Sequence, residues 1–264
     1  MNNDLTWIDS HAHLTMFEPD EIPEILERAE KRGVGGVLTP ATGRDDLDLT
    51  VALAGEYPGK VVAAAGVHPH EADSLDAVLK RDVERACSST GVVAVGEIGL
   101  DYHYLNSPRE DQLAAFAWQL DLAAELDLPV VVHNRESWSD LEGLLSQRQG
   151  RVRGVCHSFA EGPDEALRVL KMGLFLGISG MVTFKRADNI REMVAVLDPE
   201  KVLVETDSPF LAPAPHRGHR NEPSFVPLVG KKLAEEWKKP AEEIALLSTA
   251  GFRNLFGVRD DWPV

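Results

Sequence analysis

The sequence predicts an α/β fold, a (β/α)8 TIM barrel with additional helices at its carboxyl end. Short, mostly β-branched apolar runs alternate with longer amphipathic stretches, as expected for parallel strands that helices cover. No linker or change in composition divides the 264 residues, and α/β barrels of this length form one domain. We therefore expect residues 1–264 to form one TIM-barrel domain. An open doubly wound sheet is disfavoured because no glycine-rich phosphate loop follows the first strand.

The strand candidates are short apolar runs, most of them uninterrupted by polar residues. In chain order they are Leu5–Asp9, Val34–Thr39, Val61–Gly66, Val92–Gly96, Pro129–His133, Val152–His157, Phe175–Ile178 and Val202–Glu205. Because most runs do not alternate between apolar and polar residues, both faces of the sheet are expected to be covered.

Helical periodicity occurs between the strands and again after the last one. The segments are Glu21–Lys31, Ser107 to about Leu126, Ser137–Leu145, Asp164–Lys171, Asn189–Leu197, Phe225–Lys238, Ala241–Ser248 and a short helix near Arg253–Phe256. Ser107 is expected to cap the longest helix, with Glu110 completing a capping box. The loop Ser208–Pro223, which separates strand eight from the closing helices, is rich in Pro, Arg and His.

Composition excludes several classes of protein. The net charge of −16 argues against broad binding to nucleic acid through a basic surface. A phosphate substrate remains compatible, since metal ions and a few arginines can reverse the local field. Two cysteines, Cys87 and Cys156, are too few for a secreted disulfide scaffold, and Cys156 is expected to face the helix layer. Neither a secretory leader nor an apolar run of about 18 residues is evident, so we expect a cytoplasmic protein without membrane association or an obligate protein partner.

Residues that commonly bind metals lie at or just after the carboxyl ends of five of the predicted strands. They are His11 and His13 after strand one, Glu97 after strand four, His133 after strand five, His157 after strand six and Asp207 after strand eight. The two histidines of strand one share a face because alternate side chains point the same way. In a closed barrel all six converge at one mouth, where barrel enzymes place their active sites. We expect His11, His13 and Asp207 in one group, His133 and His157 in another, and Glu97 between them.

Four histidines and two carboxylates suit two divalent ions, which can be Zn, Mn, Ni or Mg. A two-metal site activates a water for hydrolysis, and Asp207 is expected both to bind metal and to accept a proton from that water. A lone histidine is more often a hydrogen-bonded core or loop residue. Six such residues at the same end of five strands make that explanation weak.

Eight distinctive motifs of three to nine residues are distributed along nearly the whole chain. They are D-S-H-A-H-L at 9–14, G-V-H-P-H at 66–70, G-E-I-G-L-D-Y at 96–102, S-P-R at 107–109, H-N-R-E at 133–136, C-H-S-F at 156–159, E-T-D-S-P at 205–209 and P-H-R-G-H-R-N-E-P at 215–223. In these motifs and their order the chain resembles the TatD family of metal-dependent hydrolases, within the amidohydrolase-like superfamily. The resemblance implies a (β/α)8 barrel, a divalent-metal centre at the matched positions and a deoxyribonuclease, in several members a 3′–5′ exonuclease on single-stranded ends.

Other residues near the strand ends are candidates for binding substrate. His68 is expected to hydrogen-bond a phosphate or the leaving oxygen, and with Asp207 and Glu97 it completes the predicted catalytic set. Arg135 has a planar guanidinium that suits phosphate, although a salt bridge at the rim is the alternative. Arg217 and Asn221 follow strand eight, where barrels often bind phosphate, although they can instead hold the proline-rich loop in place.

A further group of residues is expected to support the metal ligands. Glu205, two residues before Asp207, is predicted to orient a ligand histidine, and Asp9 and Asp101 are weaker candidates for the same role. Tyr102 and Tyr104 can stack on a base, but packing under a loop is the more common role for such residues.

Three functions compete on these features. The leading one is metal-dependent hydrolysis of phosphodiester bonds, with DNA strand ends or another phosphodiester as the substrate. The alternative is hydrolysis of an amide or ester, as in an aminoacyl-tRNA deacylase or a small-molecule amidohydrolase, because the same centre can attack a carbonyl. A non-catalytic binding module is the third, and the complete ligand set argues against it.

Overall fold

Eight parallel strands, hydrogen-bonded in chain order, form the barrel of the computed structural model, which describes residues 7–258 and 262. The strands are β1 (Trp7–Asp9), β2 (Val34–Pro40), β3 (Val61–Ala65), β4 (Val92–Asp101), β5 (Val130–Arg135), β6 (Gly154–Cys156), β7 (Phe175–Ile178) and β8 (Val202–Val204). Next to β8 and β1 the barrel closes, because Ser10 N donates to Val204 O at 3.0 Å and Asp207 N to His11 O at 2.9 Å. The predicted (β/α)8 fold is confirmed, while Leu5, the predicted start of strand one, lies outside the described residues.

Helices alternate with the strands, and two more follow β8. They are α1 (Ile22–Lys31), α2 (Leu47–Glu56), α3 (Ala77–Cys87), α4 (Arg109–Leu126), α5 (Trp138–Ser146), α6 (Pro163–Lys171), α7 (Asp188–Val196), α8 (Val226–Trp237) and α9 (Ala241–Phe256). Helices α2 and α3, which complete the alternation, were not located from the sequence. Within residues 7–258, no helix combines the length and the apolar character that crossing a membrane requires.

Strand β4 continues to Asp101, beyond the end predicted at Gly96. Its pairing with β5 shifts between Val95 and Ile98, where β4 carries one residue more than its partner. An extra residue of this kind bends a strand and changes the direction of nearby side chains. The predicted end was wrong because the strand stays paired past the irregularity, and Glu97 lies within it.

Two predictions about helix ends were also wrong. Helix α4 begins at Arg109 without a side-chain cap, and Ser107 Oγ instead donates to His70 O at 2.8 Å. The last two predicted helices are one helix, α9, that contains Gly251. A Cβ at Gly251 would lie 3.2 Å from a ring carbon of Phe175 and 3.3 Å from a methyl carbon of Leu203. Glycine thus allows α9 to pack closely against the barrel.

The barrel interior is apolar toward the amino ends of the strands. We call this cluster the barrel floor; it consists of Ile8, Leu38, Val62, Ala64, Ala94, Val131, Val155, Phe175, Leu203, Phe252, Leu255, Phe256 and Trp262. Since α9 contributes three of these side chains, it closes this end of the barrel. Cys156 instead belongs to the larger cluster between the sheet and the helices, as expected for an outward-facing side chain.

Candidate metal centre

The two histidines after β1 are held by the strands on either side. Ala12, between them, donates its backbone N–H to Leu38 O at 3.0 Å and forms a parallel bridge with Ser208. His11 and His13 are both buried, and their Nε2 atoms lie 3.2 Å apart. The alternation along the strand therefore brings both imidazoles to one point in the mouth of the barrel.

One carboxylate oxygen of Glu97 faces this pair. Oε2 lies 3.2 Å from His11 Nε2 and 3.5 Å from His13 Nε2. Asp207 comes from the loop after β8, and its Oδ1 lies 3.5 Å from His13 Nε2 and 3.9 Å from His11 Nε2. Two imidazole nitrogens and two carboxylate oxygens thus surround one position, which is the first group expected from the sequence with Glu97 added.

The other oxygen of Glu97 faces a second group. Oε1 lies 2.8 Å from His157 Nε2 and 3.0 Å from His133 Nδ1, and these two nitrogens are 3.2 Å apart. His68 Nε2 approaches the same oxygen at 3.4 Å. Glu97 therefore lies between the two histidine groups, with one oxygen directed at each.

The polar side chains of the mouth leave some buried atoms without hydrogen-bond partners. In the described part of the chain, Glu97 Oε2 is buried without a hydrogen-bond partner. The two Nε2 atoms of His11 and His13 point at each other and can pair only if one of them carries a proton. An unpaired buried oxygen is costly, and a cation between these atoms removes that cost. The nitrogen and carboxylate donors present therefore fit divalent metal ions.

Electrostatic coupling across the mouth is strong. Burial raises the pKa of Glu97, but His157, His68 and His11 outweigh it and hold that pKa well below its ordinary range. Burial lowers the pKa of His157, yet the carboxylates of Glu97 and Glu205 raise it well above the ordinary value. Glu97 is thus held in its ionised form, which is the form that binds a metal.

Asp101 supports His133 from outside the metal groups. Its Oδ2 lies 3.1 Å from His133 Nε2, and its Oδ1 accepts hydrogen bonds from the backbone N–H groups of His103 (3.0 Å) and Tyr104 (2.9 Å). The hydrogen bond places the proton of His133 on Nε2, which leaves the Nδ1 lone pair directed toward Glu97. Sequence reasoning ranked Asp101 below Glu205, although the motif G-E-I-G-L-D-Y contains it.

The other two supporting carboxylates have different tasks. Glu205 is fully buried, accepts a hydrogen bond from Ser158 N at 2.5 Å and lies 3.6 Å from His157 Nδ1. Asp9 accepts hydrogen bonds from Thr206 Oγ1 at 2.5 Å and Thr206 N at 2.8 Å, so it ties β1 to the segment after β8. Glu205 lies beside a histidine ring as expected, whereas Asp9 holds backbone.

His68 is a neutral hydrogen-bond donor. Its Nδ1 accepts from His70 N at 3.2 Å, which leaves the proton of the neutral ring on Nε2. Burial lowers the pKa of His68 to about 4. The Nε2–H group faces the mouth beside Glu97, where it can donate to a substrate oxygen.

The expected phosphate-binding residues have different surroundings. Arg135 is exposed, with its guanidinium 4.7 Å from the centre of the Tyr104 ring, and Arg217 is exposed 3.5 Å from that of Phe184. Asn221 is fully buried, and its amide donates to Thr206 O at 2.8 Å and Phe210 O at 2.5 Å. The expectation that Asn221 contacts substrate is therefore corrected, because its hydrogen bonds hold the loop after β8.

The two tyrosines after β4 also differ. Tyr102 is partly buried, donates to Oδ2 of Asp140 on α5 at 2.6 Å and packs against the hydrophobic core, so its ring is not free to stack on a base. Tyr104 is 56% exposed beside Arg135. Of the two tyrosines, Tyr104 therefore presents the more exposed ring.

Comparisons with known proteins identify the family of the chain. The family model described as TatD related DNase matches residues 8–257. The uncharacterized metal-dependent hydrolase YabD of Bacillus subtilis (strain 168) is 35% identical over 95% of this chain and 98% of its own length. The 3′-5′ ssDNA/RNA exonuclease TatD of Pantoea vagans (strain C9-1) is 35% identical over 92% of this chain and 95% of its own.

Solved structures agree as well. The crystal structure of YjjV, a TatD homolog from Escherichia coli K12, matches with a TM-score of 0.90 and 32% identity, over 96% of this chain and 98% of that one. A dihydropyrimidinase from Brevibacillus agri matches with a TM-score of 0.65 at 12% identity, which shows the shared fold alone. The family match covers every residue of the mouth described above. The chain thus belongs to the TatD-related DNase family and is a metal-dependent hydrolase.

Proposed function

We propose that the chain is a 3′–5′ exonuclease that hydrolyses phosphodiester bonds at DNA strand ends with a dinuclear divalent-metal centre. The observation that carries the proposal is the position of Glu97, whose Oε2 lies 3.2 Å from His11 Nε2 and whose Oε1 lies 2.8 Å from His157 Nε2. Sites of this class hold two ions about 3.5–4 Å apart, and a carboxylate with one oxygen toward each group can bridge them. The exonuclease name of the Pantoea vagans relative supports the choice of substrate.

In this proposal His11, His13, Glu97 and Asp207 would hold the first ion, and Glu97, His133 and His157 would hold the second. When bound, the ions supply a nucleophilic water and stabilise negative charge on phosphoryl oxygens. The side chain of Asp207 is 13% exposed, compared with 2% for Glu97, so it is the carboxylate that solvent reaches. Asp207 therefore accepts the proton of the attacking water and passes it to solvent.

The remaining residues bind and orient the substrate. His68 donates its Nε2–H to the leaving oxygen or to a non-bridging phosphate oxygen, and it does so as a neutral ring. Arg135 is exposed at the end of β5 and forms no ion pair with any described residue, so its guanidinium is free to bind a phosphate. Asp101 keeps His133 in the tautomer that presents Nδ1.

The direct test uses single-stranded DNA labelled at its 5′ end or at its 3′ end, with Mg²⁺ or Mn²⁺. We expect 5′-labelled DNA to shorten in single-nucleotide steps, and 3′-labelled DNA to release the labelled terminal nucleotide first. Asp207→Ala removes the proton acceptor and a metal ligand, so we expect its activity to be lost. Equal activity in wild type and Asp207→Ala would identify a contaminating nuclease and contradict the proposal.

A substrate panel separates phosphodiester from carbonyl chemistry. We expect kcat/KM for oligonucleotides to exceed that for aminoacyl esters and cyclic amides. Metal analysis of the same preparations should find two ions per chain. The reverse order of kcat/KM would assign the centre to carbonyl hydrolysis.

A further inference from the structure

A groove lies between the loops that follow β6, β7 and β8 and the start of α7. Its volume is about 730 Å³, which is within the range of ligand clefts. The loops leave the carboxyl ends of their strands, so the groove opens at the same end of the barrel as the metal centre. Lys185, Arg186 and Arg217 lie along it, together with Asn189 and apolar residues.

The groove is positively charged in an acidic protein. In the described part of the chain, Lys185, Arg186 and Arg217 form no ion pair, and no Asp or Glu lines the groove. Two acidic residues adjoin the lining along the chain: Asp188 is paired with Arg191 at 2.5 Å, and Glu161 accepts a hydrogen bond from Asn134 Nδ2 at 3.0 Å. Three unpaired cations on a chain with a net charge of −16 indicate a site for an anion.

The groove also offers a surface for sugars and bases. The guanidinium of Arg217 lies 3.5 Å from the centre of the partly buried Phe184 ring. Stacking on the ring holds the guanidinium plane, while its N–H groups stay available to a phosphate. Met181 and Ile190 add apolar surface. Alternating charged and apolar contacts suit a single-stranded nucleic acid, which presents both phosphates and ring faces.

One segment of chain connects the groove to the metal centre. Phe210 N donates to Asp207 O at 2.9 Å, and the Phe210 ring, which is 52% exposed, lies edge-on to His13 with a centroid distance of 6.2 Å. Farther along, Ala214 N donates to Thr183 Oγ1 at 2.8 Å and so joins the loop after β8 to the loop after β7. The segment from Asp207 past Phe210 thus leads from the metal centre to Ala214 and Arg217, which line the groove.

We propose that this groove binds the sugar–phosphate backbone of single-stranded DNA upstream of the bond that is cut. The proposal rests on the nuclease function proposed above, and it assigns Lys185, Arg186 and Arg217 to phosphates that remain on the strand after cleavage. Contacts to phosphates carry no sequence information, so the groove binds all sequences similarly. The groove also provides a positively charged surface on which an otherwise acidic protein can bind a polyanion such as DNA.

The test is the salt dependence of binding. Full-length protein in EDTA is titrated into fluorescein-labelled dT16 at several salt concentrations, and anisotropy reports Kd without cleavage. For single strands each phosphate contact adds about 0.7 to the slope of log K against log salt, so Lys185→Gln/Arg186→Gln/Arg217→Gln should lower the slope by about 2. The matched control, Arg81→Gln/Lys171→Gln/Lys231→Gln, removes three exposed and unpaired charges from α3, α6 and α8, and its slope should equal that of wild type.

The outcomes separate this proposal from the nuclease function. Equal slopes for wild type and the groove variant would overturn the groove proposal, even if the protein cleaves DNA. The groove variant could bind DNA more weakly while wild type fails to cleave DNA in Mg²⁺ or Mn²⁺. This result would contradict the nuclease function but would support the groove as a DNA-binding site. Metal content identical to that of wild type is expected for the groove variant, and a loss of metal would overturn the assignment because the substitutions would then act through the centre.

Discussion

The barrel floor and the mouth are two buried regions of the same eight strands with opposite chemistry. The floor takes Ile8 from β1, and the mouth takes His11 just after that strand. The same change occurs between Val131 and His133 in β5, and between Val155 in β6 and His157 just after it. The apolar side chains of the floor are stabilised by packing against one another, out of contact with water. Mouth side chains leave a buried carboxylate oxygen without a partner.

The floor and the mouth therefore contribute differently, the floor to folding stability and the mouth to function. The floor lowers the free energy of the folded state by removing apolar surface from water, and it needs no ligand. The mouth concentrates charge that only a bound cation fully compensates. Changes in the floor should therefore reduce stability without altering the chemistry, and changes in the mouth should do the reverse.

The largest effect is expected for Glu97→Gln, which keeps the shape of the bridging side chain and removes its charge. We expect kcat/KM to fall by about 10³-fold, the scale of losing one well-placed electrostatic group. Metal at 100 times its Kd should stabilise wild type by about 2.7 kcal/mol, and the variant by less. Glu136→Gln is the control, because that carboxylate lies at the same end of the barrel but is 64% exposed. If Glu97→Gln retained two ions and full activity, the bridging role of the Glu97 carboxylate would be contradicted.

Phe252→Ala tests the floor. The ring is 1% exposed in the apolar cluster, so truncation should lower the free energy of unfolding by about 3–5 kcal/mol in urea titrations. Activity per folded molecule should not change. On the same helix Leu246 is 72% exposed, and Leu246→Ala should change stability by no more than about 0.5 kcal/mol. A loss of kcat in folded Phe252→Ala would show that the two regions are not independent.

Asp101→Asn tests the support of the mouth. The amide cannot stabilise the proton on His133 Nε2 as a carboxylate does, and loss of such a partner typically lowers metal affinity by about 10–100-fold. Competition with a chelator measures the change. Asp45→Asn, in the exposed loop after β2 at the same end of the barrel, is the matched control and should bind metal like wild type. Unchanged affinity in Asp101→Asn would mean that packing alone orients His133.

The smallest effect is expected for a charge outside both regions. Burial raises the pKa of Glu222, but hydrogen bonds from Arg28, the shortest 2.8 Å, and from Ser224 lower it below its ordinary value of 4.5. Glu222→Gln should therefore destabilise the protein at pH 7, by about 1 kcal/mol. Because the pKa is lowered in the folded state, this contribution is present above pH 4.5 and is lost as the pH falls through the folded pKa.

Unfolding of wild type and Glu222→Gln at pH 7 and at pH 3 measures this difference. The control is Glu27→Gln, whose partner Lys31 is 67% exposed, and its effect should be near zero at both values of pH. A difference between wild type and Glu222→Gln that stays constant with pH would indicate a packing effect instead of a charge effect.

The sequence predicted the fold and the members of the mouth well. Apolar runs located all eight strands, because buried parallel strands need continuous apolar sequence. His11, His13, Glu97, His133, His157 and Asp207 were expected together because the carboxyl ends of parallel strands meet at one end of a barrel. Family motifs predicted the same positions, and the comparisons confirmed the family.

Other features could not be predicted because they depend on contacts between distant segments. The course of β4 past Gly96 depends on pairing with β5, and the continuity of α9 through Gly251 depends on its packing against β7 and β8. The buried amide of Asn221 donates hydrogen bonds to Thr206 O and Phe210 O, and no local sequence pattern indicates these partners.

The sequence by itself determined which residues are apolar, where strands and helices alternate, and which chemical groups stand at the strand ends. These are local properties, set by side-chain type and spacing along the chain. Only the tertiary structure decided that Glu97 directs one oxygen to each histidine group, that Asp101 holds His133, and that three cations meet in one groove. The physical reason is that closing the barrel fixes distances between segments far apart in the sequence, and these distances determine which groups share a metal, a proton or a phosphate.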